Sequence, residues 1–152
     1  MAFLNSINIS ASALTATRLR LDIIAENMAN MSTTRTETGD PYRRKFVVFQ
    51  ERTNNSAGSF ARIFDRSLSG DNTLRAGAGV RVIAIGHDPS EFKLDYNPAH
   101  PDADEEGFVR MPNIDLVQEM TDMMAAYRAY EANITALNVF KDMAVKTLEI
   151  GK

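Results

Sequence analysis

The sequence predicts an α+β protein in which long N- and C-terminal helices pair as a coiled coil beside a small antiparallel β-rich middle unit. Two observations predict the helices. Both terminal stretches are almost free of glycine and proline, and both repeat apolar residues in alternating steps of four and three. A third observation predicts the middle unit, since short alternating apolar runs are separated there by turn-forming residues.

The C-terminal helix is predicted between Pro112 and Gly151, with Asn113 as its N-cap. Its apolar stripe has the heptad period, is interrupted once at Lys141, and consists of Leu116, Met120, Met123, Tyr127, Tyr130, Ile134, Leu137, Ala144 and Leu148. A helix of roughly 35 residues is about 50 Å long, too long for a domain of this size to wrap. It therefore needs a second long helix.

The N-terminal stretch supplies that second helix, which we predict over residues 5–31. Its stripe follows the same spacing and consists of Ile7, Ala11, Leu14, Arg18, Leu21, Ala25 and Met28, widened by Ile24. The helix should end near Met31, because the short polar side chains that follow compete for backbone hydrogen bonds.

The middle unit is predicted to hold three or four antiparallel strands. The strands and the features between them are a turn at 39–42, a strand at 43–50, a loop at 51–59, an apolar cluster of Phe60, Ile63 and Phe64, a strand at 79–86, a third strand through Phe92, Leu94 and Tyr96, and an edge strand at Phe108 and Val109. We therefore divide the chain into a terminal-helix domain (1–36 and 111–152) and a middle domain (37–110).

Composition excludes several functions. The 152 residues carry a formal charge of −3, without the basic surface expected of a nucleic-acid binder. There is no cysteine, which excludes disulfides, thiolate metal sites and cysteine nucleophiles. No apolar run reaches the roughly 18 residues of a membrane span, and the N-terminus lacks the features of a secretory signal peptide.

Two stretches could carry chemistry. Asp102, Asp104 and Glu106 match the first half of a calcium loop, but the position of its last ligand is Asn113 and Pro101 opposes an entering helix. A solvated acidic loop is the favoured interpretation.

The two histidines, His87 and His100, lie near Asp88 and Asp104 in turn-like sequence, and an enzyme using these four residues is one alternative. No helical histidine pair supports a metal site. We therefore predict no catalytic residue, no metal and no cofactor.

The basic triplet Arg43–Arg44–Lys45 is isolated, because nothing around it extends the positive surface. We expect it to form a polar strand edge or to contact acidic neighbours.

Apolar residues on the C-terminal helix exceed what one partner helix can cover. Beside the main stripe lie Val117, Met124, Val139, Phe140, Val145 and Ile150. Helices that are apolar on several faces belong to bundles or assemblies.

Three stretches carry a family signature: 26–36, 39–49 and a run from 88 to 152. The motif residues are Asn27, Asn30, Thr33, Thr34, Pro41, Tyr42, Arg43, Arg44, Tyr130, Glu131 and Asn133. Together these stretches span nearly the whole chain. They resemble the bacterial flagellar axial protein family of rod and hook subunits, in particular its proximal rod members.

The resemblance implies a structural subunit of the flagellar basal-body rod, exported unfolded by the type III apparatus without a cleaved signal peptide. Family members stack into a hollow drive shaft, with the terminal helices inside and the β unit outward. The implied partners are copies of the chain itself, other rod proteins, the export apparatus and the basal-body base. Neither nucleic acid nor direct membrane insertion is implied.

The expected assembly interface combines the two stripes. We assign to it Ile7, Leu14, Leu21, Ile24, Met28, Leu116, Met120, Met123, Tyr127, Tyr130, Ile134, Leu137, Phe140 and Leu148. The principal alternative is a soluble coiled-coil adaptor or secretion chaperone, which would form a discrete dimer. A peripheral membrane helix is disfavoured, because neither terminal helix has a lysine-rich polar face.

Overall fold

The computed structural model describes residues 2–52 and 77–150, without the side chains of residues 2–4 and 150. Its elements are, in chain order, α1 (Ala2–Ala29), β1 (Lys45–Glu51), β2 (Val80–His87), β3 (Lys93–Tyr96), β4 (Phe108–Met111) and α2 (Leu116–Ile150). The predicted α+β class and the two long terminal helices are confirmed. The predicted loop tip beyond residue 52 and the cluster of Phe60, Ile63 and Phe64 lie outside the described residues.

The helices run antiparallel, because Asn27 near the end of α1 contacts Glu119 in the first turn of α2. Among the described helices and strands, α2 packs only against α1, whereas α1 also packs against β1 and β2. The helix α1 is therefore covered on two sides. This arrangement explains why small residues recur along α1, since they let neighbouring backbones approach closely.

The start of α2 differs from the prediction. Asp115, and not Asn113, is the N-cap: its Oδ1 accepts hydrogen bonds from the backbone N–H groups of Val117 (2.9 Å) and Gln118 (3.4 Å). The Asn113 side chain instead accepts from the backbone N–H of Arg44 at 2.9 Å. The expected cap thus joins α2 to the segment before β1.

The four described strands are antiparallel, as predicted, and they form two separate two-stranded sheets, β1–β2 and β3–β4. The two sheets separate at the turn after β2. The carbonyl groups of Asp88 and Ser90 there accept hydrogen bonds from the side chains of Arg43 and Asn113. The β1–β2 ladder ends one bond beyond β2, where the Asp88 N–H donates to the Arg44 carbonyl at 2.8 Å, because Pro89 has no N–H to continue it. The next strand, β3, pairs with β4.

Close approach of α1 to the first sheet depends on Gly79, just before β2. Its φ is +107°, and a Cβ at this position would overlap the Ser12 side chain of α1. The Ser12 hydroxyl in turn accepts the backbone N–H of Val80 at 3.1 Å. Helix and strand are therefore joined here by a contact that only glycine permits.

We expect Gly79→Ala to lower the free energy of unfolding by about 2–4 kcal/mol, since it combines left-handed strain with a steric overlap. Gly39→Ala is the matched control, because Gly39 also has positive φ (+89°) but has open space around its Cβ position. Urea denaturation should show the larger loss for Gly79→Ala. Equal losses would mean that the overlap with Ser12 is relieved at no cost.

Candidate assembly site

A buried polar junction joins α1, the segment before β1, and the first turns of α2. Its central side chains are Asn27, 1% exposed, and Glu119, 0% exposed. The first turn of α2 positions Glu119, whose backbone N–H donates to the carbonyl of Asp115 at 2.9 Å. Polar groups buried this deeply are tolerated only when their hydrogen bonds are made.

Asn27 ties α1 to the start of β1. Its Oδ1 accepts from the backbone N–H of Lys45 at 3.0 Å, while its Nδ2 donates to the Lys45 carbonyl at 2.8 Å. The same amide donates to Glu119 Oε2 (3.2 Å) and accepts from the Tyr42 hydroxyl (3.1 Å). Both donors and both acceptor sites of the amide are thus used.

Arg44 neutralises the buried carboxylate. Its Nε lies 2.6 Å from Glu119 Oε1, and its Nη2 lies 3.4 Å from Asp122 Oδ2. Arg20 of α1 reaches the other oxygen of Asp122 at 3.2 Å. Two arginines and two acids from three parts of the chain therefore form one network, in which the fully buried charge has a direct partner.

Tyr42 lies on the edge of this network and is buried. Burial, followed by the negative charges of Glu26 and Glu119, raises its pKa from 10.0 to about 12. Lys45 contacts the same region, with its Nζ 2.5 Å from Glu26 and 5.4 Å from the centre of the Tyr42 ring.

The basic triplet contacts acidic neighbours, as predicted, through Arg44 and Lys45. Arg43 behaves differently. Its guanidinium donates to the Asp88 carbonyl at 3.0 Å and lies 4.5 Å from the centre of the Phe92 ring. The Asp88 carboxylate accepts from the hydroxyl and the N–H of Ser90, and these bonds hold its pKa below the usual range.

The acidic loop closes on itself. Asp104 Oδ1 accepts from the backbone N–H groups of Glu106 (3.2 Å) and Phe108 (2.9 Å), and Asp102 accepts from the Thr34 hydroxyl at 2.8 Å. Within residues 2–52 and 77–150, no three acidic or histidine side chains come together as a metal site. His100 lies 3.9 Å from Asp102, and His87 ends β2.

The family-motif residues are not all in one place. Asn27, Tyr42 and Arg44 form the junction, and Pro41 is buried beside it. Asn30 and Thr33 shape the turn after α1 through a 3.2 Å hydrogen bond between their side chains. On α2, Tyr130 and Asn133 are half-buried, whereas Glu131 is exposed.

Sequence reasoning did not identify the role of Glu119. It is the most deeply buried side chain of the junction. The available signal was the isolated basic triplet, for which the sequence predicts contacts with acidic neighbours.

Burial along α2 does not follow the predicted stripe at every position. The residues of α2 that are buried or half-buried in heptad spacing, here called the inner stripe, are Glu119, Met123, Ala126, Tyr130, Asn133, Leu137, Phe140 and Ala144. The inner stripe passes Lys141 without interruption. Since α2 packs on no other helix or strand of the described chain, the inner stripe faces α1.

The other predicted positions of α2 are exposed. Four of them, here called the outer stripe, are Leu116, Met120, Tyr127 and Ile134. Leu148 is also exposed, while in α1 Ile24 is buried and Ile7, Leu14, Leu21 and Met28 are half-buried. The predicted interface thus divides into a part used within the chain and a part that the chain leaves uncovered.

Comparison with known proteins identifies the family. The model of the flagella basal body rod protein family matches residues 7–35, and that of the flagellar basal body rod FlgEFG protein C-terminal family matches residues 105–150. The chain is 47% identical to the flagellar basal-body rod protein FlgC of Bacillus subtilis (strain 168), with both chains covered completely. The chain belongs to the FlgC family. FlgC of Borreliella burgdorferi is 47% identical over 99% of this chain and 98% of its own, and that of Escherichia coli O6:H1 is 40% identical over both complete chains.

Membership of the FlgC family makes the chain a structural subunit of the flagellar basal-body rod and not an enzyme. The enzyme alternative built on His87, Asp88, His100 and Asp104 is thereby set aside. In the part of the chain that the structure describes, neither long helix has an apolar stretch sufficient to span a bilayer.

Removing the buried carboxylate should destabilise this FlgC-family chain. We expect Glu119→Ala to lower the free energy of unfolding by about 3 kcal/mol, because Arg44 and Asn27 lose a buried partner. Lys45→Met is the control, since the Lys45–Glu26 pair is partly exposed and should contribute less than about 1 kcal/mol. Urea titrations that rank the two variants in the opposite order would contradict this account of the junction.

Tyr42 should make stability fall at alkaline pH. Its pKa is higher folded (about 12) than unfolded (10.0), so its contribution is complete below pH 10 and is lost as the pH rises from 10 to 12. Tyr42→Phe should flatten the dependence of unfolding free energy on pH in this window. Tyr127→Phe, which removes an exposed phenol, should follow the wild type, and parallel curves for all three proteins would refute the prediction.

Proposed function

We propose that this rod subunit assembles through the outer stripe of α2, which binds further copies of the chain and other rod proteins. The observation that carries the proposal is the exposure of large apolar side chains that recur every four or seven residues along one helix face. Met120 is 51% exposed and Tyr127 58%. A lone exposed apolar residue is ordinary, but an aligned set on one face is typical of a binding surface.

The number of apolar faces supports a polymer. Outside the outer stripe, α2 also exposes Val117, Met124, Val139, Met143, Val145 and Leu148. A discrete dimer needs one self-complementary patch, whereas a repeated interface that does not close needs at least two different ones and generates a helical tube. The breadth of the exposed surface favours the tube over the adaptor or chaperone alternative.

The proposal includes the route to the rod. We propose export of the unfolded chain by the flagellar type III apparatus, followed by stacking with the terminal helices inside and the sheets outside, in contact with the basal-body base. Absence of cysteine leaves no covalent cross-link to oppose unfolding. Among residues 5–52 and 77–149, the buried apolar core is also small and consists largely of alanine and isoleucine, so unfolding this part exposes little apolar surface.

An acidic residue in the outer stripe tests the interface. We expect Tyr127→Asp to abolish swimming and to leave no complete rod, because a carboxylate would be buried between subunits without a partner. The measurements are swimming in soft agar and electron microscopy of isolated basal bodies, in bacteria whose own copy of the gene is deleted.

The matched control is Tyr127→Phe, which keeps the apolar ring and should preserve motility. Because Tyr127 is exposed in the isolated chain, Tyr127→Asp should also keep wild-type stability in urea, which separates an assembly defect from unfolding. Normal rods in the Tyr127→Asp strain would exclude the outer stripe as an interface. A stable wild-type dimer in solution that does not polymerise would favour the adaptor.

A further inference from the structure

We infer that Glu119, held by Arg44 and Asn27, selects which of two overlapping heptad stripes of α2 packs against α1, and therefore which stripe is left for other subunits. The inference concerns the rotation of α2 about its own axis. It assigns a positioning role to a side chain that the resemblance and the comparisons leave without one.

The predicted heptad stripe, which contains the outer stripe, shares Met123, Tyr130, Leu137 and Ala144 with the inner stripe. Away from these shared positions, each residue of the inner stripe is followed directly in the sequence by the corresponding residue of the predicted stripe. Because successive residues of an α-helix are 100° apart, exchanging one stripe for the other needs a rotation of about 50°.

In the first half of α2, burial of apolar surface alone favours the arrangement that the structure does not adopt. At three of the four positions where the stripes differ, the outer stripe has Met120, Tyr127 and Ile134, whereas at the fourth the inner stripe has Phe140 beside the exposed Lys141. The inner stripe has smaller or polar residues at the first three of these places, namely Glu119, Ala126 and Asn133. Over residues 119–134, turning the larger side chains inward would remove more apolar area from water, so apolar burial does not explain the rotation of this half of α2.

The junction supplies an interaction that sets this rotation. Glu119 is 0% exposed, and its two oxygens lie 2.6 Å from Arg44 Nε and 3.2 Å from Asn27 Nδ2. Both partners are anchored outside α2, since Asn27 also bonds the Lys45 backbone and the backbone N–H of Arg44 donates to Asn113. A rotation of α2 would pull the carboxylate from both donors and leave charges unpaired. A single buried polar residue fixes the alignment of coiled coils in the same way.

Burial in α1, which packs on α2 and on the strands β1 and β2, also departs from the predicted stripe. Within it Ser10 and Ile24 are buried, whereas Ala11, Arg18 and Ala25 of the predicted stripe are exposed. The shift is again one residue at alternate heptad positions. Asn27 lies three residues after Ile24, on the same side of the helix. Each helix therefore carries one member of the Asn27–Glu119 pair on a face that is buried.

The consequence for assembly rests on the proposed function. With Glu119 inside, Met120, Tyr127 and Ile134 stay together on the outside, where a second copy of this chain can cover them. The test below measures rotation within one chain, so it can fail while the outer stripe remains an interface, and the reverse also holds.

Cysteine accessibility measures the rotation directly, because the chain has no cysteine of its own. Single cysteines replace Ala126 of the inner stripe or Tyr127 of the outer stripe in the full-length chain, and the rate of alkylation by iodoacetamide is measured. Ala126→Cys should react at least about tenfold more slowly than Tyr127→Cys, because reaction needs an accessible thiolate.

Arg44→Met removes the main partner of Glu119 and should reverse this order, because the unpaired carboxylate turns outward and carries Tyr127 inward. Adding Glu119→Leu to Arg44→Met should restore the wild-type order, since an apolar residue can remain inside without a partner. Lys45→Met removes an ion pair that does not involve α2 and should leave the rates unchanged.

Three results would overturn the inference: an unchanged order in Arg44→Met, fast alkylation of both sites in that variant, or equal rates in the wild-type background. Fast alkylation of both sites would mean that the junction only holds the helices together and does not orient them. Circular dichroism shows whether α2 remains helical. Cysteines at Asn133 and Ile134, one from each stripe, repeat the measurement if Ala126→Cys disturbs packing.

Discussion

The contact between Glu119 and Arg44 is the interaction on which the rest of this structure depends. It is a buried ion pair at 2.6 Å between the first turns of α2 and the segment that leads into β1. Asn27 adds α1 to the same contact. The apolar contacts that also join the helices to each other and to the sheets have no preferred direction. Hydrogen bonds to a charged group do have one, so they can orient as well as stabilise.

The helices and strands, which repeat apolar residues at a regular spacing, could be predicted from the sequence. Heptad spacing over many turns identified both helices, and alternation identified the strands of the middle unit. Each type of element has its own spacing of apolar residues along the sequence. The sequence pattern could not show which strands pair. The two sheets separate at a turn where Arg43 and Asn113 bind the carbonyl groups of Asp88 and Ser90. Contacts between residues so far apart in the chain produce no periodic pattern.

The rotation of α2 was missed for a related reason. Ranking positions by hydrophobicity places Met120 and Tyr127 inside and Glu119 outside, and an isolated helix gives no reason to reverse that order. The reversal needs Arg44 and Asn27, which come from other parts of the chain. The site was therefore predictable in composition but not in geometry: the motif residues Asn27, Tyr42 and Arg44 could be identified from the sequence, while the carboxylate that joins them could not.

The two helices differ in length, with 28 residues in α1 and 35 in α2. Because they are level at the junction, the additional turns of α2 extend about 10 Å at the far end of the pair. There Leu148 is 75% exposed. The molecule consequently has two unlike ends, one closed by paired charges and one formed by a single helix with an uncovered apolar side chain. Such a subunit has a direction, which is set by the stagger of its helices.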